Sequence, residues 1–95
     1  MAGMWVVQVD VKDDDRYAEY IKSSSEVVVA YDGEFLARGG RYEHKEGKPY
    51  SRHVLIRFPT YERALEAYES DDYQAIVGIA KEAADRAFII VEVDD

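Results

Sequence analysis

Arg38, followed by Gly39 and Gly40, is the stretch of this chain best suited to chemistry. An arginine offers a planar fork of donors that matches a carboxylate or an enolate, and glycines let a ligand approach the backbone. His53 is the only histidine inside a strand-like pattern, and a histidine can move a proton near neutral pH. Glu92, near the end of the chain, is a second group able to do so. Arg38 could steady a developing oxyanion while His53 or Glu92 carries a proton, the enzymatic reading of this set being a cofactor-free oxygenase or isomerase and the other a binding site without turnover. Gln8 and Arg57 complete, with Arg38, Gly39 and Gly40, a candidate ligand-binding set. The plainer alternatives are structural. Arg38 could pair with Asp10 or Glu92 across a dimer interface, or Asp10, Arg38, Arg57 and Glu92 could all pair across the two-fold with no cavity; Gly39-Gly40 could be a bulge, and a strand histidine near a hairpin is often inert.

Other chemistries find less support. His44 and His53 flank a hairpin with Glu43 and Glu46, but no HxH or HxxxH spacing occurs, so no metal is expected. Gly39-Gly40 does not lead into a helix, which removes a phosphate cradle, and no cofactor is implied. There is no cysteine, hence no thiolate ligand, no thiol nucleophile and no disulfide framework, which fits a cytoplasmic protein. Tyr17, Tyr20, Tyr61, Tyr68 and Tyr73 could hydrogen-bond a phenolic or enolic ligand, although their helical spacing fits packing stripes as well.

These residues are positioned by a strand, helix, strand, strand, helix, strand order. Met4 to Val11 alternates with period two, as a strand with one apolar face does. Asp13-Asp14-Asp15 can cap a helix that runs to about Tyr31, with an inner stripe of Tyr17, Tyr20, Ile21, Ser24, Val28 and Tyr31. Asp32-Gly33 closes it, the glycine being free to take the left-handed conformation. Phe35–Tyr42 and Arg52–Phe58 read as a hairpin around Glu46-Gly47-Lys48-Pro49. Pro59-Thr60 stops the strand and caps a second helix, which breaks and restarts at Ser70. Ala87–Val93 is the last strand.

That order predicts an α+β ferredoxin-like βαββαβ domain spanning 1–95, with a four-stranded antiparallel sheet and two helices on one face. Sorting strand residues by parity leaves Trp5, Val7, Val9, Val11, Phe35, Ala37, Val54, Ile56 and Phe58 for the helices. The other set holds Val6, Gln8, Asp10, Leu36, Arg38, His53, Leu55 and Arg57. Phe88, Ile90 and Glu92 are expected to join it, leaving Ala87, Ile89 and Val91 for the core. Such a mixed face is too apolar for water and too polar for a plain core. Two copies brought face to face would bury it and line a pocket, so a homodimer is expected, with a small aromatic or oxo-acid ligand held by its anionic group near Arg38, between the sheet and the dimer seam; the alternative is a dimeric binding, sensing or interaction module without catalysis. A chain of this length buries only about 60–65% of its unfolded surface, and a twin relieves that limit. The formal net charge of −8, without a basic stripe, argues against nucleic acid. No long apolar stretch or basic leader argues for a membrane.

Several short runs carry a resemblance when taken in order: Trp5-Val6-Val7 leading to Val9-Asp10-Val11; Phe35-Leu36-Ala37-Arg38-Gly39-Gly40; Phe58-Pro59-Thr60; Tyr68-Glu69-Ser70 before Tyr73-Gln74; and Ala83-Ala84-Asp85 leading to Ile90-Val91-Glu92. The chain resembles domain-of-unknown-function family 1330 of the dimeric α/β-barrel superfamily, nearly end to end. The resemblance implies a ferredoxin-like protomer whose sheet packs on that of a twin, and implies no reaction. Relatives often carry arginine where this chain has Ala80, and glutamate before the Phe-Pro pair where it has Arg57.

Overall fold

The computed structural model describes residues 1–94; Asp95, the last residue of the single domain expected over 1–95, lies outside them. Its elements follow the expected order: β1 (Gly3–Val11), α1 (Asp14–Ala30), β2 (Glu34–Arg38), β3 (Arg52–Phe58), α2 (Tyr61–Glu69), α3 (Asp71–Ala83) and β4 (Ala84–Glu92). The strands form one antiparallel sheet in the order β2-β3-β1-β4. This is the ferredoxin-like arrangement, with the second helical stretch divided in two.

Local chemistry sets the helix ends. The side chains of Asp13, Thr60 and Ser70 accept hydrogen bonds from the backbone N–H groups of Arg16, Arg63 and Tyr73, each satisfying a donor that the first turn leaves open. The turn after α1 differs from expectation. Asp32, not Gly33, takes the left-handed conformation, at φ 66°. Gly33 is required for space instead, since a β-carbon there would lie 2.6 Å from Val28 Cγ1 and 2.8 Å from Phe58 Cε1. The Val27-Val28-Val29 run is helical despite its β-branched residues, because Val27 and Val28 are buried in the core while Val29 is exposed.

The core lies between the helices and one face of the sheet, and Trp5 is at its centre. Its indole N–H donates to the Ala64 carbonyl at 2.9 Å. Its ring meets those of Phe58, Tyr73 and Phe88 at centroid distances of 5.0, 5.1 and 5.1 Å. Burying so large a ring with its N–H satisfied is a main source of stability, and truncation to alanine at such a site costs about 3–5 kcal/mol.

Two parity assignments require correction. In β4, Phe88 pairs opposite Val7 and Ile90 opposite Trp5, so both face the helices, while Ile89 and Val91 face away and are exposed. The Ala87–Val91 run is apolar throughout, so its sequence contains no alternation by which to orient it. In β2 the register shifts between Phe35 and Ala37, ahead of the bulge expected at Gly39-Gly40. One extra residue reverses every later side chain. Ala37 therefore joins Leu55 on the open face, and Arg38 joins Val54 on the helix face. β2 also ends at Arg38, short of the expected Tyr42, and residues 39–51 form an irregular connection.

On the open face the register aligns Ala37, Leu55, Val6 and Ile89 in one apolar row across all four strands. Arg57, Met4 and Val91 flank the row on one side, and His53, Gln8 and Ala87 on the other. Leu36 and Ile89 are 52% and 58% exposed, too much apolar surface for a face at rest in water.

Candidate functional site

The reversal in β2 moves the site. Arg38 does not look out of the sheet; it turns back over α1. Its Nη2 donates to Ser25 Oγ at 2.6 Å, and its guanidinium lies 4.0 Å from the Phe35 ring centroid. Ser25 is in turn held by its own bond to the Ile21 carbonyl at 2.7 Å. Arg38 therefore stands, exposed, at the mouth of a partly enclosed cavity between α1 and the sheet.

Inside the cavity is a second arginine, Arg52. It has the same parity as Val54, Ile56 and Phe58 and so points into the helix face. Its Nε is buried without a hydrogen-bond partner. Gly39 makes room for it: a β-carbon there would collide with Arg52 Nη1, and Gly39 also has φ 76°, a conformation that side chains resist. Tyr17, Tyr20, Ser24 and Ser25 supply the remaining polar lining, and Trp5, Phe35 and Phe88 are among the apolar walls. The volume open to the centre of a water-sized sphere is about 40 Å³. That is room for about three waters, or for a very small organic molecule.

A third arginine flanks the same cluster. Arg86 of β4 and Arg52 of β3 both pair opposite Val9, so they stand on either side of it in one row on the helix face. The Arg86 guanidinium lies over the rings of Tyr20 and Phe88 at 5.0 and 5.2 Å, and its Nη1 is buried without a partner. Burial opposes its charge, but the Tyr20 and Tyr73 oxygens more than offset this, and its pKa is raised. The Tyr17 phenol is pushed above its ordinary value by burial, with Arg86 opposing the shift. Tyr73 is likewise raised, first by burial and then by Tyr20. None of the ion pairs among the described residues engages Arg38, Arg52 or Arg86.

The other expected site residues do not meet Arg38. Gln8, His53 and Arg57 point to the open face, on the far side of the sheet. His53 stacks on Tyr42 of the 39–51 connection at 4.5 Å, and its Nδ1 is buried and unbonded. Glu92 is an exposed residue at the end of β4, opposite Gly3, away from the β2 end of the sheet. Gly40 is exposed, with open space around it. The set of Asp10, Arg38, Arg57 and Glu92 expected to pair across a two-fold is likewise divided between the two faces. Only Arg38 and Gly39 remain together, now with Arg52. Among the described residues no three histidine, aspartate or glutamate side chains converge as metal ligands would.

Known proteins share this fold. The domain of unknown function DUF1330 matches residues 2–94. The chain belongs to the DUF1330 family. Among curated proteins none matches. A solved dimeric ferredoxin-like protein of unknown function from Jannaschia sp. CCS1 is similar with a TM-score of 0.77 at 14% identity, over 98% of this chain and 100% of that one. A protein of unknown function from Rhodopseudomonas palustris gives 0.75 at 16% identity, over 99% and 83%. SnoaB, a cofactor-independent oxygenase from Streptomyces nogalater, gives 0.67 at 8% identity, over 99% and 94%. At such identities the likeness is one of fold. In this DUF1330 chain the Ala80 position is fully buried in the core. Among the described residues no helix is long and apolar enough to cross a membrane.

Proposed function

We propose that this DUF1330 protein is a homodimer that binds a small organic anion in each protomer, between α1 and the helix face of the sheet. The observation that carries the ligand is the pair Arg38 and Arg52, two cations sharing one small cavity and engaged by none of the ion pairs among the described residues. Like charges confined together are costly, and a half-buried guanidinium with an unbonded N–H more so. An anion between the two forks relieves both costs. A carboxylate suits them best, being planar and able to accept paired hydrogen bonds. The apolar row Ala37, Leu55, Val6 and Ile89 supports the twin, as does the dimeric description of the Jannaschia protein.

Binding is favoured over turnover by the lining itself. Arginine and tyrosine are as a rule protonated near neutral pH. Oxygenase or isomerase chemistry that begins by removing a proton needs a base, and the residues expected to act as one, His53 and Glu92, are elsewhere.

Side-chain and amide resonances followed by NMR during titration with propionate, and with neutral propionamide, test the ligand. Propionate should perturb the Nε–H signals of Arg38 and Arg52 and the amides of Ser24 and Ser25, and propionamide should not. Equal responses to both, or responses unchanged in Arg52→Ala, would contradict an anion site.

A further inference from the structure

The Tyr20, Tyr73 and Arg86 side chains form a hydrogen-bond chain whose direction is fixed by its buried end. Arg86 Nη2 lies 3.2 Å from Tyr73 Oη, and Tyr73 Oη lies 2.6 Å from Tyr20 Oη. A guanidinium can only donate, so Tyr73 Oη accepts from Arg86. Tyr73 must then place its own proton. Its side chain is 0% exposed, and Tyr20 is its one remaining hydrogen-bond partner among the described residues. If Tyr20 donated to Tyr73, the Tyr73 proton would be buried with no acceptor, a cost of about 1–3 kcal/mol. Tyr73 therefore donates to Tyr20. The Tyr20 proton is left over, and Tyr20 is itself buried and lines the arginine cavity.

We infer that Tyr20 is a specificity-determining donor, and that the ligand is a short carboxylate bearing a second, neutral oxygen acceptor: an oxo acid rather than a plain fatty acid. This rests on the anion site proposed above. Arg38 and Arg52 take the charged end, and Tyr20 takes the carbonyl. Ser25, which holds Arg38, is more than a helical turn beyond Tyr20 on α1, so Arg38 and Tyr20 stand at different points of the cavity lining. A carboxylate and a carbonyl separated by two methylenes can reach two such points, whereas a 2-oxo acid places both oxygens at one end. The longer ligand exceeds the enclosed volume, so its charged end lies at the open mouth of the cavity, where Arg38 is exposed. The hydrogen-bond chain also makes Tyr20 a stronger donor. Tyr20 accepts from Tyr73, which is itself polarised by Arg86, and this strengthens the bond that Tyr20 gives.

The experiment compares levulinate (4-oxopentanoate) with pentanoate, its match without the oxo group, by NMR titration of the wild-type protein and of Tyr20→Phe. Levulinate should bind about tenfold more tightly to the wild-type protein, the factor expected of one hydrogen bond, and the preference should vanish in Tyr20→Phe. Equal affinities in the wild-type protein would overturn the role of Tyr20 while leaving the anion site standing. Binding of neither compound at the arginines would overturn the anion site and the inference with it. A preference that survives in Tyr20→Phe would assign the carbonyl to another donor. The wild-type comparison is decisive even if Tyr20→Phe folds poorly.

Discussion

The guanidinium of Arg52 occupies the space that a side chain at residue 39 would fill. Gly39→Ala should therefore act twice. A left-handed backbone at φ 76° costs a non-glycine residue about 1–2 kcal/mol, and the methyl group must displace Arg52. The expected result is a loss of about 1–3 kcal/mol in urea unfolding together with loss of propionate binding. Gly40→Ala, in open space, should change neither; a large effect there would show that the connection is held differently.

Removing Arg52 should have the opposite effect on stability from removing Arg86. Arg52→Leu deletes a cation with an unbonded buried Nε, so without ligand the protein should be unchanged or up to about 1 kcal/mol more stable. Arg86→Leu leaves the Tyr73 oxygen without its donor and should cost about 1–3 kcal/mol. Thermal unfolding of both variants in low-anion buffer checks the contrast. Strong destabilisation by Arg52→Leu would indicate that Arg52 has a structural partner.

The buried phenols give the protein an alkaline limit. Tyr17 and Tyr73 have pKa values raised in the folded state, chiefly by burial, whereas an unfolded tyrosine ionises near about pH 10. A raised folded pKa contributes stability that is fully present below about pH 10 and is lost as pH rises through the folded values. Phenolate absorbance should therefore rise in two stages: exposed tyrosines first, then the buried ones together with loss of near-ultraviolet circular dichroism. A single stage near pH 10 with the native dichroism retained would contradict the burial of these groups. Tyr73→Phe should soften the second stage.

Much of the fold could be read from the chain because its signals agree locally. Asp13, Thr60 and Ser70 are good caps standing before apolar stripes, and the Met4–Val11 alternation leaves one orientation for β1. The site was less legible because it depends on parity, which one bulge reverses. Arg38 changed sides through the shift at Phe35–Ala37, a feature of pairing geometry with no residue signature of its own. Arg52 was detectable, since it has the parity of Val54, Ile56 and Phe58, and an arginine in a core row is a signal. Arg86 was hidden because β4 begins at Ala84, earlier than its apolar run suggests.

The open face predicts assembly. Leu55→Glu and Ile89→Glu place charges in the apolar row that the register lines up across the sheet. Sedimentation equilibrium at micromolar concentration should find twice the chain mass for the wild-type protein and the chain mass for either variant. A monomeric wild-type protein would remove the homodimer, though not the cavity, which lies within one protomer.

Everything proposed for the cavity depends on an anion lying between Arg38 and Arg52. Anomalous diffraction from crystals soaked in 3-bromopropionate tests this most directly, because bromine marks the ligand independently of its shape. The expected result is a bromine peak inside the cavity beneath α1, with the carboxylate on the two guanidiniums and the peak absent from Arg52→Ala crystals. An empty cavity in which Arg52 is paired with a carboxylate of the protein itself would contradict the anion site.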